Sequence, residues 1–388
     1  MRIESSRVHD VAVVGGGVAG LSLTRALTRE GADVVLVEKS APGSPLGGAS
    51  ALPAALLNPW RGRKGAAHPD DLRGLATAWR WSEEMRAEGL EPGAHRSGVV
   101  RIAGSARQAR DWRQRAAAEP SLRWLDPGAL GEPYHAPFGA LRVLDGGRVD
   151  APGWLASLAA SARAHGATSL HRSEVRALAQ RPDAVWELRL VAGERASGDR
   201  SAEQRAHERR ADGLRADDRQ ANGDAVVRAR VVASCVGADV APDAIGVDGR
   251  QIAWPERIRT RGEVVTLTGG PALPWPVAGG VYGAADRGTA WIGGGHRPPD
   301  QADRSAPERL RAAFAWYAPA MAHADVAAVW SGVRAKVPDA RPEVRRLAPG
   351  LWSFGAFAGR GFLCAADEAE RWASRWRSAA LEPDPSAP

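Results

Sequence analysis

The sequence predicts an α/β fold built around a parallel sheet, and three observations carry that prediction. A β-branched run, Val11-Ala12-Val13-Val14, is followed by a glycine cluster and an apolar-periodic helix that reaches Arg29 and stops at Gly31. A second β-branched run, Val34-Val35-Leu36-Val37, ends in Glu38 and completes one βαβ unit. Strand, glycine-bearing loop and helix recur near the far end, where Leu351–Phe354 leads through Gly355–Gly361 into a helix burying Phe362, Ala366, Ala369, Trp372 and Trp376.

The first turn is the most informative stretch. Gly15, Gly17 and Gly20 have the G-x-G-x-x-G spacing, with Val18 and Ala19 opening the helix. Gly15 permits the tight turn, Gly17 lets the backbone approach a pyrophosphate, and Gly20 lets helix and strand pack closely. The helix that opens there points free N–H groups at the phosphates. Glu38, at the end of the second strand, is placed to accept hydrogen bonds from a ribose, and its charge repels a 2′-phosphate, which favours FAD or NAD over NADP. A chain with 44 glycines matches such a motif by chance. Here the strand, the helix and the spaced acid agree on a dinucleotide site.

The remaining elements follow in order. A turn-rich piece from Ala41 to Pro45 precedes Gly47-Gly48-Ala49-Ser50 and Asn58-Pro59-Trp60; then Arg61-Gly62-Arg63-Lys64 places three cations in one loop, readable as a solvated turn or an anion clamp. Asp70–Arg86 has helical spacing, Val99–Ala103 reads as a strand and Ser105–Ala118 as a polar helix, with Trp79, Trp81, Trp112 and Trp124 read as core packing. Val143–Asp150 reads as a hairpin-like turn ending in an N-cap aspartate, before a helix that buries Trp154, Leu155, Leu158 and Ala162 and stops at Gly166. Strands around Thr168–His171 and Val175–Leu178 extend the same sheet. Val185–Val191 and Ala225–Val236 read as two strands of one connection, separated by residues 192–224. That stretch has Leu214 as its one large apolar side chain, so it is expected to be a disordered insertion. Ile252–Leu267 and Val281–Gly293 supply further strands, and Ala306–Tyr317 an amphipathic helix.

The totals set bounds. A chain of 388 residues suffices for two or three domains or one composite, and its 2 cysteines, Cys235 and Cys364, exclude a disulfide framework and read as buried reduced thiols. No signal peptide or spanning run is visible, so a soluble cytoplasmic protein without membrane partners is expected. The net charge of +7 raises a nucleic-acid or membrane-surface partner. Against this, Lys39, Lys64 and Lys336 are the only lysines, and the arginines are scattered among acids.

Several blocks resemble, in the same order, the FAD-dependent amino-acid oxidase superfamily that includes D-amino-acid, glycine and sarcosine oxidases. They are the fingerprint with Glu38; Gly47-Gly48-Ala49-Ser50; Gly147–Val175; Val232–Ala238; Arg261-Gly262-Glu263; Tyr282–Gly295; Gly332-Val333-Arg334 with Val337-Pro338-Asp339; and Gly359-Arg360-Gly361 before the last helix. The resemblance is nearest to glycine and sarcosine oxidases and to the oxidase module of the bifunctional enzyme that modifies tRNA wobble uridines.

This resemblance implies an α+β composite: a discontinuous Rossmann-like FAD-binding domain (residues 1–68, 146–245 and 333–388) and a β-sheet-based substrate domain (residues 69–145 and 246–332). It implies FAD lying extended along Gly15, Gly17, Val18, Ala19 and Gly20, its ribose on Glu38 beside Lys39, its adenine beside Val175, with Gly237 alongside. The flavin ring falls between Ser50 and Gly359, Arg360, Gly361 and Phe362. Arg334 and Tyr282 occupy the positions that hold a substrate carboxylate, Arg334 counting among the cofactor contacts as well, and no metal is expected. The implied reaction oxidises the C–N bond of a small amine or amino acid to an imine by hydride transfer to flavin N5, with molecular oxygen or another acceptor taking the electrons. Three positions depart from the family pattern: Arg334-Ala335 replaces Arg-Pro, Glu343-Val344 replaces an apolar-glycine pair, and Glu263 stands where glutamine is common. The competing readings are a tRNA wobble-uridine oxidase, a non-catalytic FAD-binding assembly factor and, more weakly, a NAD-linked dehydrogenase.

Overall fold

The computed structural model describes residues 4–41, 48–192, 225–239, 241–338 and 341–377. The expected insertion lies, apart from Ala192, outside the described residues, as do Gly47 and Asp339. The first half of the chain runs β1 (Glu4–Val14), α1 (Val18–Arg29), β2 (Val34–Val37), β3 (Ala54–Leu57), α2 (Pro69–Ala87), β4 (Ala94–His95), β5 (Val99–Ile102), α3 (Ala106–Ala118), β6 (Leu122–Leu125), β7 (Ala140–Val143), β8 (Gly147–Asp150), α4 (Ala151–Ala164) and β9 (Thr168–Leu170). The second runs β10 (Ser173–Gln180), β11 (Trp186–Ala192), β12 (Ala225–Ser234), β13 (Asp243–Ile245), β14 (Ile258–Thr268), β15 (Val277–Ala278), β16 (Tyr282–Asp286), β17 (Thr289–Arg297), α5 (Ala306–Ala315), β18 (Asp325–Lys336), β19 (Glu343–Ala348), β20 (Leu351–Gly355) and α6 (Gly361–Ala373).

The first sheet is organised around β1, which lies between β2 and β12 and is parallel to both, with Val11–Val14 registered on Val34–Val37 and on Val231–Ser234. Buried on both faces, these strands read as continuous apolar runs rather than as alternation. The parallel strand β9 continues beyond β2. On its other side β12 is shared: antiparallel β11 pairs with its first half and parallel β20 with its last residues. β10 and β13 extend the sheet past β11. Helices α1, α2, α4 and α6 cover one face, burying Leu23, Leu27, Trp81, Trp154 and Trp372. The opposite face has its own core around Trp186, Leu188 and Leu190.

The second sheet has the order β18-β14-β17-β16-β15-β5-β7-β6, and the third, small sheet is β3-β8-β4. One face of the second sheet is packed by Leu310 and Phe314 of α5 together with Met321. Its other face looks toward the carboxyl ends of the first sheet.

Three readings from sequence are corrected. Val143–Asp150 does not form a hairpin, because β7 pairs with β5 and β6 of the second sheet while β8 pairs with β3 and β4 of the third. The turn hands the chain from one sheet to another, a choice that local turn chemistry does not encode; Asp150 does cap α4, accepting from the Gly153 amide at 3.0 Å. The strand expected from Ile252 begins at Ile258, since Pro255 interrupts the run and Ile252 and Trp254 pack on the first sheet instead. The long strand β18 was not anticipated: it is an edge strand whose Val326 and Val329 are exposed, so its residues show no apolar alternation.

The seam between α2 and α6 depends on Gly74, where a Cβ would lie 2.5 Å from the Leu363 carbonyl oxygen. Helix propensity favours Gly74→Ala by about 1 kcal/mol, whereas overpacking costs about 1–3 kcal/mol. The clash with a backbone oxygen wins, so thermal unfolding of Gly74→Ala is expected to occur at lower temperature than that of the parent; an unchanged or raised midpoint refutes the tight seam.

Candidate functional site

A cavity of about 830 Å³ lies between the carboxyl ends of β1, β2, β12 and β20 and the exposed face of the second sheet. This is the crevice at which open α/β sheets bind ligands. Gly15, Gly17, Val18, Ala19, Glu38, Lys39, Ser50, Val175, Gly237, Tyr282, Arg334, Gly359, Gly361 and Phe362 all line it. Gly20 and Arg360 do not. A Cβ on Gly20 would run into the Gly15 carbonyl oxygen, so its lack of a side chain serves the approach of helix to strand. Arg360 is buried and turned away, with Nη1 3.3 Å from Asp71.

At the glycine turn, Gly15 has φ 103° and sits against the Cys235 backbone, where a Cβ would be 2.8 Å from its oxygen. Gly17 caps α1 without a side-chain hydrogen bond; the Val18 amide goes to Ser50, and the amides that follow in the first turn are left for a ligand. Glu38 accepts from the amides of Gly16 and Ser40, the latter at 2.7 Å, which fixes its carboxylate at the end of β2. Ser50 Oγ accepts from the Val18 amide at 3.0 Å and ties the segment after β2 to the helix start. Lys39 pairs with Asp239 at 2.7 Å across the same end of the cavity. A tight turn, a helix N-terminus and a fixed carboxylate suit an extended dinucleotide such as FAD.

The other end is formed by the β20–α6 loop and the second sheet. Ala356 and Ala358 have φ of 52° and 53°, left-handed values that cost a non-glycine residue about 1–2 kcal/mol each. That strain lies in the loop facing the cavity. Arg334, on β18, donates from Nη2 to the Gly295 carbonyl at 2.5 Å, and its guanidinium lies between Gly262 and Gly359. Among the described residues no carboxylate lies within ion-pair distance of it. Tyr282 lays its ring over Gly293; burial pushes its hydroxyl up to about 12, with Arg334 opposing, so it stays protonated at neutral pH.

The charges are distributed unevenly. Glu38, Glu174 and Asp239 line the glycine-turn end with Lys39 and Arg176, whereas Arg61, Arg101, Arg259 and Arg334 line the remainder with Glu263 as their acidic counterpart. Of the cationic loop, Arg61 reaches the wall and pairs with buried Asp71, while Arg63 and Lys64 are exposed. Sequence reasoning missed Arg101 and Trp330. Alternation along Val99–Ile102 was the available signal for Arg101, since it puts Val99 and Arg101 on one face.

Glu263 is almost fully buried, neither carboxyl oxygen has a hydrogen-bond partner, and the nearest cation, Arg309 Nη2, is 3.8 Å away. Burial, reinforced by Asp303, pushes its pKa up. A raised folded-state pKa means that its contribution is fully present below the ordinary glutamate range and is lost as pH rises through the elevated value. Glu263→Gln is therefore expected to match the parent in thermal stability near pH 4.5 and to exceed it at pH 8. A gap that stays constant with pH sinks the idea.

Residues 10–366 match the family described as DAO, FAD dependent oxidoreductase. The tRNA 5-methylaminomethyl-2-thiouridine biosynthesis bifunctional protein MnmC of Maricaulis maris is 27% identical over 370 residues, covering 94% of this chain and 51% of that protein. Glycine oxidase of Geobacillus kaustophilus is 30% identical over 182 residues, covering 43% of this chain and 47% of the enzyme. The matches thus span about half the length of these curated relatives or less. The fold is shared with the crystal structures of glycine oxidase from Geobacillus kaustophilus (TM-score 0.73, 20% identity, 98% of this chain and 96% of that one) and iminodiacetate oxidase from Chelativorans sp. BNC1 (TM-score 0.71, 21% identity, 97% of both). With the family pattern running through nearly all of the α/β framework, this chain belongs to the DAO family of FAD-dependent oxidoreductases.

Proposed function

We propose that the chain oxidises the C–N bond of a small amino acid to an imine. The observation that carries this reading is Arg334: a half-buried guanidinium facing the cavity, held by a main-chain carbonyl and lacking a carboxylate partner among the described residues. Such a fork suits a substrate carboxylate bidentately. The names of glycine oxidase and iminodiacetate oxidase among the similar proteins agree with it. Residues 1–68, 146–245 and 333–388 are assigned to holding FAD, and residues 69–145 and 246–332 to forming the substrate side.

When bound, the flavin supplies the two-electron acceptor for the amine carbon. The chain's own residues do the rest. Gly15, Gly17, Val18 and Ala19 receive the pyrophosphate, Glu38 the ribose and Val175 the adenine, while Ser50, Gly359, Gly361 and Phe362 border the ring. Arg334 orients the carboxylate, and protonated Tyr282 donates a second hydrogen bond to it. The N-terminus of α6 places positive potential beside the ring. Loss of a hydride, two electrons and one proton, from a substrate bound as the free amine leaves the protonated imine directly, so no carboxylate base is needed beside it. Dioxygen or another acceptor removes the electrons afterwards.

The purified protein is expected to be yellow, and glycine, sarcosine or a D-amino acid added without oxygen should bleach it. Arg334→Met is expected to keep the flavin and lose about a hundred- to a thousandfold in kcat/KM, or ~3–4 kcal/mol. A bound flavin that no amine bleaches, together with an inert Arg334→Met, favours a non-catalytic FAD-binding role. A second reading, oxidation of a wobble-uridine side chain, draws on the relation to MnmC across 94% of this chain. It requires tRNA binding that weakens steeply with salt, and a flat response rejects it.

A further inference from the structure

One row of residues crosses the second sheet on its cavity face. Val264 registers on both Trp330 and Gly293, Gly293 on Tyr282, and Tyr282 on Ala278. Val277 registers on Val100, which sets Ala278 beside Arg101. Trp330, Val264, Tyr282, Ala278 and Arg101 all line the cavity, and Gly293 is hidden only because the Tyr282 ring covers it. Arg334 stands four residues beyond Trp330 on β18 and so shares its face. The floor of the cavity therefore carries a cation on β18 and a second one on β5, with Tyr282 between them.

Arg101 is 6% exposed. Its Nη2 donates to the Gly62 carbonyl at 2.6 Å, its guanidinium stacks on Trp112 at 4.5 Å, and Nη1 has no hydrogen-bond partner. Among the described residues no carboxylate pairs with it. Burial lowers its pKa to about 10, which leaves it charged at neutral pH. Nor does its neighbour supply compensation. Arg61, itself a cation, pairs with Asp71, whose carboxylate also takes Arg360. A buried, unpaired cation in a cavity wall is costly unless an anion completes it.

We propose that Arg101, assisted by Arg61, forms a second anion subsite, and that the substrate is an amino acid whose amine or side chain carries a further carboxylate. This rests on the amine-oxidation reading above, with Arg334 and Tyr282 taking the first carboxylate. From Tyr282 to Arg101 is two strand spacings, about 10 Å, the reach of a short methylene chain. Arg101 determines specificity and takes no part in bond breaking.

The test uses the FAD-loaded protein and begins with binding alone. Glutarate and adipate are titrated against pentanoate and hexanoate, which have equal carbon counts, and the perturbation of the flavin spectrum is followed. The dicarboxylates are expected to bind at least about tenfold more tightly. Arg101→Met should bring the ratio close to one, and Arg63→Ala, altering an exposed cation of the same loop that does not line the cavity, should leave it intact. If Arg101→Met fails to retain flavin, Arg101→Lys replaces it and should keep a reduced preference. Equal binding of mono- and dicarboxylates by the parent overturns the subsite, as does a preference that survives Arg101→Met. N-(3-carboxypropyl)glycine and N-butylglycine are then compared as reductants of the flavin. Dicarboxylate preference without bleaching by any amine defeats the oxidase reading and leaves the anion subsite standing; bleaching without preference does the reverse.

Discussion

The constraint on which the rest depends is the closeness of three backbones at the end of β1. Gly20 leaves no room for a methyl group against the Gly15 carbonyl, and Gly15 in turn lies against the Cys235 backbone. Those contacts seat α1 directly on β1 and hold the end of β12 beside the turn. Because β2 and β12 are parallel to β1 and in register with it, Glu38 and the segment from Cys235 to Asp239 arrive at the same edge. An edge with helix N-terminal amides on one side and a carboxylate on the other follows from that geometry.

The second sheet supplies what the first lacks. Its packed face is held by α5, and its free face is a floor bearing Tyr282, Trp330 and, well apart from each other, Arg334 and Arg101. The glycines along this floor allow large side chains to lie flat: Tyr282 over Gly293 and the Trp330 indole over Gly332. The loop after β20 closes the gap between the sheets and stores strain at Ala356 and Ala358. Two sheets thereby meet at one cavity.

The departures from the family pattern have different physical standing. Glu343 is buried, but Arg257 reaches it at 2.7 Å, bonds Ser353 at 2.6 Å and holds the Gly237 carbonyl at 2.6 Å. This acid is compensated, and its partner fastens the cavity wall at Gly237. Glu263 is not compensated in that way, since its oxygens have no hydrogen-bond partners and burial favours its protonated form. Nothing in the structure explains alanine at position 335.

The sequence by itself determined the βαβ unit, the dinucleotide motif, the boundaries of α1, α2 and α4, and the apolar face of the last helix. All of these rest on local spacing: β-branched runs, helical periodicity, caps and glycine stops act over a few residues. Tyr282 and Arg334 are singled out by the resemblance to the amino-acid oxidases and not by local spacing. Only the tertiary structure decided that β7 and β8 part company, that an edge strand without alternation carries Arg334, and that Arg101 faces the same cavity from a strand more than two hundred residues earlier. Strand order and register come from pairing between distant segments, and whether a buried arginine has an acid beside it depends on every element packed around it. No local pattern in the chain encodes either.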